Sequence, residues 1–246
     1  MTIPRFPLPD GQPVYGEIIL SGSSFRHLKK VLRVKPGEMV SFYDQEGYEY
    51  PSVVEHISRD EVRCINSQKI KKGKECSPRL TLIQGLLKRD KMDFLVEKAC
   101  ELGVYKIIPI ITERSEIKIP EEKINSRIAH WGKIAEAAIS QSRRSFIPII
   151  EPPRLFKKAI ELCPAKQTLF LSEERIEKDL KDTVKTLTPF KEISIIVGPP
   201  GGFSKAEVTS VKVKGFNLVG LKEAILRSET AAIAVLSVVQ YELGNL

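Results

Sequence analysis

Two stretches near the carboxyl end of this 246-residue chain combine residue types that can do chemistry. In the first, the apolar run Ile193–Val197 stops at Gly198, and Gly198–Gly202 reads GPPGG. Three glycines and two prolines exclude a regular element there, and a backbone without Cβ atoms lets a ligand come close. Ser204, with Glu207 three residues later, is a capping-box sequence that starts a helix. The glycines thus lie between a strand's carboxyl end and a helix N-terminus, the usual ligand position in open α/β sheets. In the second stretch, Phe216–Leu221 reads as a strand, and Ile225, Leu226, Arg227 and Ser228 lead into a helix from about Glu229 to Gln240. Ala231, Ala232, Ile233, Ala234, Val235, Leu236, Val238 and Val239 make that helix apolar nearly all round, which predicts burial on most sides. Arg227 and Glu229 stand where it begins. Charges beside so apolar an element cost free energy unless they pair with each other or are used.

The elements that must position these stretches fall into two parts. Residues 1–75 read as a small β-rich domain, with strands at Glu17–Leu20, Met39–Tyr43, Pro51–Ile57 and Glu61–Ile65 separated by PGE, DQEG and SRDE turns. Strands so closely spaced suggest a small barrel. Phe25, Leu28, Val31 and Leu32 interrupt them with a helical period that leaves Arg26, Lys29, Lys30 and Arg33 on the other face. Lys69–Ser77 is a polar, basic linker, and the boundary is placed there, giving domains 1–75 and 76–246. Beyond it, strand Leu80–Gln84, helix Lys91–Leu102 and strand Ile107–Ile111 form a βαβ unit. A longer helix from about Glu121 to Ser142 sets Ile124, Ile128, Trp131, Ala135 and Ala138 on one face, with His130 away from its centre. Ile147–Ile150, Thr168–Leu171 and Ile193–Val197 supply further strands of a mainly parallel sheet.

Composition narrows the chemistry. Hydrophobic residues at 42% can build a core, no run approaches the roughly eighteen apolar residues of a membrane span, and MTIPRFPLPDG has prolines where a signal peptide needs an apolar centre. A cytoplasmic protein without a membrane segment is expected. Cys64, Cys76, Cys100 and Cys163 are widely separated with no CxxC pair, and with only three histidines no metal site is expected. GxxxxGK[ST] is absent, and so is GxGxxG with a following acidic residue, which removes phosphate-loop and dinucleotide readings. A net charge of +8 favours a polyanionic partner, and Arg26–Lys35 holds five basic residues and no acidic one. By itself such a stripe is also what a solvated helix face looks like.

GPPGGFSKAEV together with ILRSETAAIAVL resembles the C-terminal signature of the bacterial methyltransferases that make 3-methyluridine in 16S ribosomal RNA, in the SPOUT superfamily. HLKKVLRVKPGE, LLKRDKMDFLVEKACELGVYKIIPIITERS and EAAISQSRRSFIP are similar to that family's other signatures, in the same order. The resemblance implies an α/β fold: a C-terminal SPOUT-type domain with a trefoil knot, preceded by a small PUA-like β-barrel that holds RNA. It also implies S-adenosyl-L-methionine as cofactor, 16S ribosomal RNA or the small ribosomal subunit as partner, and a homodimer. The cofactor would be held where three loops converge, at Leu171 and Ser172, at Val197, Gly198, Pro199, Gly201 and Gly202, and at Leu221, Ile225, Leu226 and Ser228. RNA would be held by Arg5, Arg26, His27, Lys29, Lys30, Arg33, Arg143 and Arg144.

The implied reaction moves a methyl group from sulfonium to uracil N3, whose proton must be removed and whose anion spreads over N3, O2 and O4. Arg227 is the expected anion-stabilising donor, and Glu229 removes the proton or orients Arg227; a structural ion pair between the two is the competing reading. The chain departs from the family at Pro200, commonly glutamate, at Lys222, Glu223 and Ala224, commonly Gly-Pro-Arg, at Arg26, commonly histidine, and at Arg143, commonly glycine. Two further readings stay open on these departures: an RNA-binding protein of this fold without catalysis, and a SPOUT methyltransferase acting on another RNA base.

Overall fold

The computed structural model describes residues 3–9, 11–12, 15–44, 47–66, 68–71, 77–144, 146–172, 180–187, 190–221 and 226–246. The chain divides into two compact units, Met1–Glu75 with Ile139–Ile147, and Cys76–Ala138 with Pro148–Leu246.

The first unit contains β1 (Arg5–Pro7), β2 (Gly16–Ser21), α1 (Gly22–Arg26), β3 (Met39–Tyr43), β4 (Tyr48–Ile57), β5 (Glu61–Asn66) and β6 (Ile70–Lys71). The pairing runs β1-β3-β4-β5-β2, with β6 on β4; β1 and β3 are parallel and every other pair is antiparallel. β5 alternates strictly, Val62, Cys64 and Asn66 inward and Arg63 and Ile65 outward, as a half-buried strand should. Phe6, Ile18, Leu20, Phe25, Leu28, Val40, Phe42, Tyr50 and Val54 complete the core. The helical period expected over Phe25–Leu32 is only half kept. After Arg26 the helix widens into a π-type turn, His27–Leu32, closed by Arg33 in the left-handed region (φ 52°) with its N–H on the Leu28 carbonyl. Phe25 and Leu28 stay buried, but the wider turn carries Val31 and Leu32 out of the core, leaving them 65% and 40% exposed.

The second unit is built on one parallel sheet. Its elements are β7 (Arg79–Gly85), α2 (Arg89–Glu101), β8 (Lys106–Ile111), α3 (Glu121–Ser142, whose last turn belongs to the first unit), β9 (Ile149–Ile150), β10 (Arg154–Leu155), α4 (Phe156–Glu161), β11 (Thr168–Leu171), α5 (Leu180–Leu187), β12 (Glu192–Val197), α6 (Lys205–Lys214), β13 (Asn217–Val219) and α7 (Ser228–Glu242). Strand order is β10-β8-β7-β12-β11-β13, with β9 also on β8, and all these pairs are parallel. Register sets Ile108, Ile83, Ile196, Phe170 and Leu218 in one row across the sheet, where they join Phe156, Ile160, Val208 and Val211 of α4 and α6. The alternate row, Ile107, Leu82, Ile195 and Leu169, is also buried, and α7 lies on β12 and packs against α2. Burial on both faces is why these strands read as continuous apolar runs. α7 is less enclosed than its composition suggests: Ala232, Val235, Leu236 and Val239 are buried, while Val238 is 37% and Tyr241 70% exposed.

Candidate functional site

Because β7, β8, β12, β11 and β13 are parallel, the loops that follow them all leave one edge of the sheet. Of the three expected cofactor loops, the Gly198–Gly202 turn lies wholly in the described residues, the first is described as far as Ser172, and of the third Ile225 and the departures Lys222, Glu223 and Ala224 fall outside them. Leu171 is buried at the end of β11, and the Ser172 N–H continues the ladder onto the Val219 carbonyl at 3.0 Å. Val197 and Pro199 are buried; Leu221 is half-buried and Leu226 is 37% exposed.

The Gly198–Gly202 turn is closed by the Gly202 N–H on the Pro199 carbonyl (2.8 Å), with Gly202 at φ 66°. It leads into α6 through the expected capping box: Ser204 Oγ accepts from the Glu207 N–H (3.2 Å) and Glu207 Oε2 from the Ser204 N–H (2.9 Å). The other carboxylate oxygen of Glu207 accepts the Glu113 N–H at 2.9 Å, and Arg114 donates to the Gly201 carbonyl at 3.2 Å, so the loop after β8 braces the turn. A Cβ on Gly201 would lie 3.2 Å from the Arg114 carbonyl oxygen, so the space it spares is taken by backbone.

Two residues absent from the sequence reading hold the turn from below. A Cβ on Gly85, at the end of β7, would sit 2.3 Å from the Pro199 nitrogen, so only glycine lets these two strand ends approach as they do. Gln84 is fully buried; its Nε2 donates to Ser228 Oγ (2.9 Å) and to the Gly85 carbonyl (3.0 Å), and Ser228 Oγ donates to the Gly198 carbonyl (2.5 Å). One side chain thus ties the glycine turn to the first residue of α7. The signal was an amide at the carboxyl end of an otherwise apolar strand, a polar group that must find partners when buried.

At the start of α7, Arg227 takes the N-cap position with extended backbone and an exposed side chain, which forms no ion pair among the described residues. Glu229 is 8% exposed and pairs not with Arg227 but with Lys91 of α2, Oε1 to Nζ 2.8 Å; its Oε2 is buried with no hydrogen-bond partner among the described residues. The competing reading, a structural ion pair between Arg227 and Glu229, is thus not what forms among the described residues. The reason is the packing of α2 on α7, which brings a side chain from another element closer than the neighbour in sequence. Burial pushes the Glu229 carboxyl up, but the hydrogen bond from Lys91, its own backbone N–H and the charges of Lys91 and Arg227 outweigh this and hold it below the usual carboxylate range. Lys91 stands in the first turn of α2, where a cation opposes the helix dipole, and that was the available sign that it has a partner.

The residues expected to meet RNA all belong to the first unit, Arg143 and Arg144 included. Arg26, His27, Lys30 and Arg33 are exposed. Lys29 is exposed too but is already engaged, donating to the Ser58 carbonyl at 2.7 Å and lying 5.0 Å from the centre of the Phe25 ring. Arg143 adopts φ 57°, which accounts for glycine being the family's usual residue there. Arg5 corrects the expectation of a phosphate-facing cation. Its side chain is 8% exposed, pairs with Glu49 at 2.6 Å, donates to the Arg144 carbonyl at 3.1 Å and lies over the Tyr43 ring. A buried arginine needs such a partner, and that pairing turns it inward.

No group of His, Cys, Asp and Glu among the described residues is arranged to hold a metal ion, and no described helix is long and apolar enough to cross a membrane. Burial pushes the Cys64 and Cys100 thiols up to about 12, so neither is a ready nucleophile. His130 is half-buried and hydrogen-bonded to Asp93 at 2.8 Å, and Asp93 also accepts from the Trp131 ring N–H at 3.1 Å, a structural pairing of α2 with α3.

This geometry is that of a parallel α/β domain with the loops after its strands gathered at one edge, the usual ligand position in such sheets. Comparison with known proteins gives the family. The model described as an RNA methyltransferase domain matches residues 74–240, and that of an RNA methyltransferase PUA domain matches residues 20–65. The chain belongs to this RNA methyltransferase family, with its PUA domain at the N-terminal side. It is 32% identical to the ribosomal RNA small subunit methyltransferase E of Aquifex aeolicus, over 90% of this chain and 93% of that one. A structure of the protein of that name from Neisseria gonorrhoeae, bound to S-adenosyl methionine, is 31% identical with TM-score 0.87, covering 98% of both chains. A Legionella pneumophila methyltransferase in complex with the same cofactor is 28% identical with TM-score 0.89, again covering 98% of both.

Proposed function

We propose that the chain is an S-adenosyl-L-methionine-dependent methyltransferase of the SPOUT superfamily, knotted at its C-terminus, that modifies N3 of a uridine in 16S ribosomal RNA. The observation that carries this reading is the likeness, along 98% of both chains, to a ribosomal RNA small subunit methyltransferase bound to that cofactor. The residues present fit the group. The Gly198–Gly202 backbone, the half-buried Leu221 and the partly exposed Leu226 offer edges and apolar faces to a nucleoside, and Glu229 Oε2 is a buried acceptor still to be met. When bound, the cofactor supplies a methyl group on a sulfonium.

The rest of the chemistry falls to the protein. Arg227, exposed at the N-cap of α7, has a planar fork of donors for the oxygens over which the uracil anion spreads. Glu229 stays ionised through its bond to Lys91, and the N3 proton leaves to its free oxygen or to water. The domain at residues 1–75 holds RNA through Arg26, His27, Lys30 and Arg33, and Arg143 and Arg144, which belong to the same unit, add to it. The exposed apolar side of α7 at Val238 and Tyr241 supports a homodimer, and the basic, rRNA-directed chain a cytoplasmic location.

Mass spectrometry of ribosomal RNA nucleosides from a deletion strain tests the base and the substrate together. Loss of 3-methyluridine from 16S rRNA is expected; an unchanged level would refute the reading. Calorimetry with S-adenosyl-L-methionine tests the catalytically silent alternative, which predicts no binding.

A further inference from the structure

The charges at the start of α7 are arranged in a way that the methyl-transfer reading does not itself require. Arg227 and Glu229 are two residues apart, and the Arg227 charge already acts on Glu229. Glu229 is a buried carboxylate with one oxygen on Lys91 and the other without a partner among the described residues. A guanidinium fork fits a carboxylate with two parallel hydrogen bonds and is the natural occupant of such a pair of oxygens. Arg227 nevertheless remains exposed, forming no ion pair among the described residues.

We propose that Lys91 is a positioning residue: by occupying Glu229 it keeps that carboxylate from capturing Arg227, and so leaves the guanidinium available to the uracil anion. This rests on the role given to Arg227 above. An ammonium is a compact point charge, so Lys91 neutralises Glu229 through one oxygen. Without Lys91, Glu229 would be a buried charge lacking compensation, which is costly, and the cation two residues away in its own chain is the one able to relieve it. A lysine in the first turn of α2, against the helix dipole, is retained at some cost to that helix.

The competing role is a strut that joins α2 to α7, and the state of the Arg227 side chain separates the two. In single-turnover methylation of 16S rRNA by the full chain, Lys91→Ala is expected to lower the rate by about 10- to 100-fold. That is less than the 10²- to 10³-fold typical of removing an anion-stabilising donor outright. Lys91→Met, which keeps the aliphatic stem, should be as slow, and Lys91→Arg should recover part of the rate. Glu229→Gln supplies a second background: there Lys91→Ala should cost little more, because a neutral amide no longer captures Arg227, whatever the amide itself costs. In the protein without substrate, the Arg227 Nε–H resonance should show slowed exchange with water in Lys91→Ala and return to the parent behaviour in the double variant. Parent-like exchange at the Arg227 Nε–H in Lys91→Ala, or a Lys91→Ala enzyme at the parent rate, overturns the proposal. If Arg227→Ala is slow while Lys91→Ala is not, this inference alone falls; if Arg227→Ala methylates normally, the reading of Arg227 falls first and takes this one with it.

Discussion

Gly85→Ala should damage both the stability of the second unit and its hold on the cofactor. The added Cβ would meet the Pro199 nitrogen at 2.3 Å, Pro199 Cδ at 2.5 Å and the Gly198 carbonyl carbon at 2.7 Å. Two of these atoms are backbone and the third belongs to a proline ring, so no side-chain rotation relieves the contact. Restoring an ordinary separation of about 3.4 Å means moving the turn by about 1 Å. The β7–β12 ladder resists this, since it is in register from Arg79–Glu192 to Gln84–Val197. Overpacking a rigid site costs about 1–3 kcal/mol, and backbone contacts belong at the upper end. For a unit of this size each kcal/mol is worth roughly 2–4 °C, so a fall in Tm of about 4–12 °C is expected.

The same displacement carries the Gly198 carbonyl away from Ser228 Oγ, and with it the turn proposed to hold the cofactor. Calorimetry should therefore show weaker S-adenosyl-L-methionine binding even at temperatures where the variant is folded. Gly132→Ala is the matched control. That glycine lies inside α3, and a Cβ added there would meet nothing within 4 Å, so alanine should stabilise by about 0.5–1 kcal/mol and leave binding alone. A Gly85→Ala protein with parent Tm and parent affinity would refute the close approach of β7 to the turn.

Arg227→Ala should keep the fold and most cofactor affinity while slowing single-turnover methylation by roughly 10²- to 10³-fold, with the gap narrowing as rising pH supplies uracil anion; joint loss of Tm and cofactor binding would make the residue structural. Lys30→Ala with Arg33→Gln should make the log-affinity against log-salt slope for rRNA shallower by roughly 1.5–2 units, Lys29 being tied to Ser58; an unchanged slope would mean a merely solvated stripe. The folded Glu229 carboxyl lies below its unfolded value, so its stabilisation is present above about pH 4.3 and is lost as pH falls through the folded value. Acid-limb melts should consequently be flatter for Glu229→Gln than for the parent, and identical slopes would count against the lowered carboxyl.

Local pattern carried the parallel sheet well: Thr168–Leu171 is β11 to the residue, and α3 begins after Pro120 and ends at Ser142 as its period and proline imply. The same logic found the turn and capping box, because their chemistry lies within ten residues of sequence. What it missed is of three kinds. β1 was hidden by its prolines and by a parallel pairing with β3, over thirty residues away, that no local pattern encodes. α5 did carry a signal, with Leu180, Val184 and Leu187 at helical spacing, in a stretch read only as a connection. Gln84, Gly85 and Lys91 matter only through contacts with residues more than a hundred positions away, and so became visible with the fold.

The departure at Pro200 can be judged from the turn it occupies. Pro199 to Gly202 is a four-residue turn closed by the Gly202 N–H on the Pro199 carbonyl, which makes Pro200 its second residue, the position where a fixed φ near −65° is favoured. Pro200 is exposed, so the glutamate common in the family would have met solvent or ligand here rather than the core. The proline therefore stiffens a turn whose backbone is proposed to meet the cofactor, and removes one N–H and one carboxylate. Pro200→Glu separates these effects. If backbone placement is what the cofactor needs, the variant should lose about 0.4–1 kcal/mol of stability through the freer unfolded chain and bind S-adenosyl-L-methionine no better than the parent. If the missing carboxylate has silenced the enzyme, Pro200→Glu should instead raise the methylation rate by an order of magnitude or more, and the reading of this chain as an active methyltransferase in its present form would have to give way.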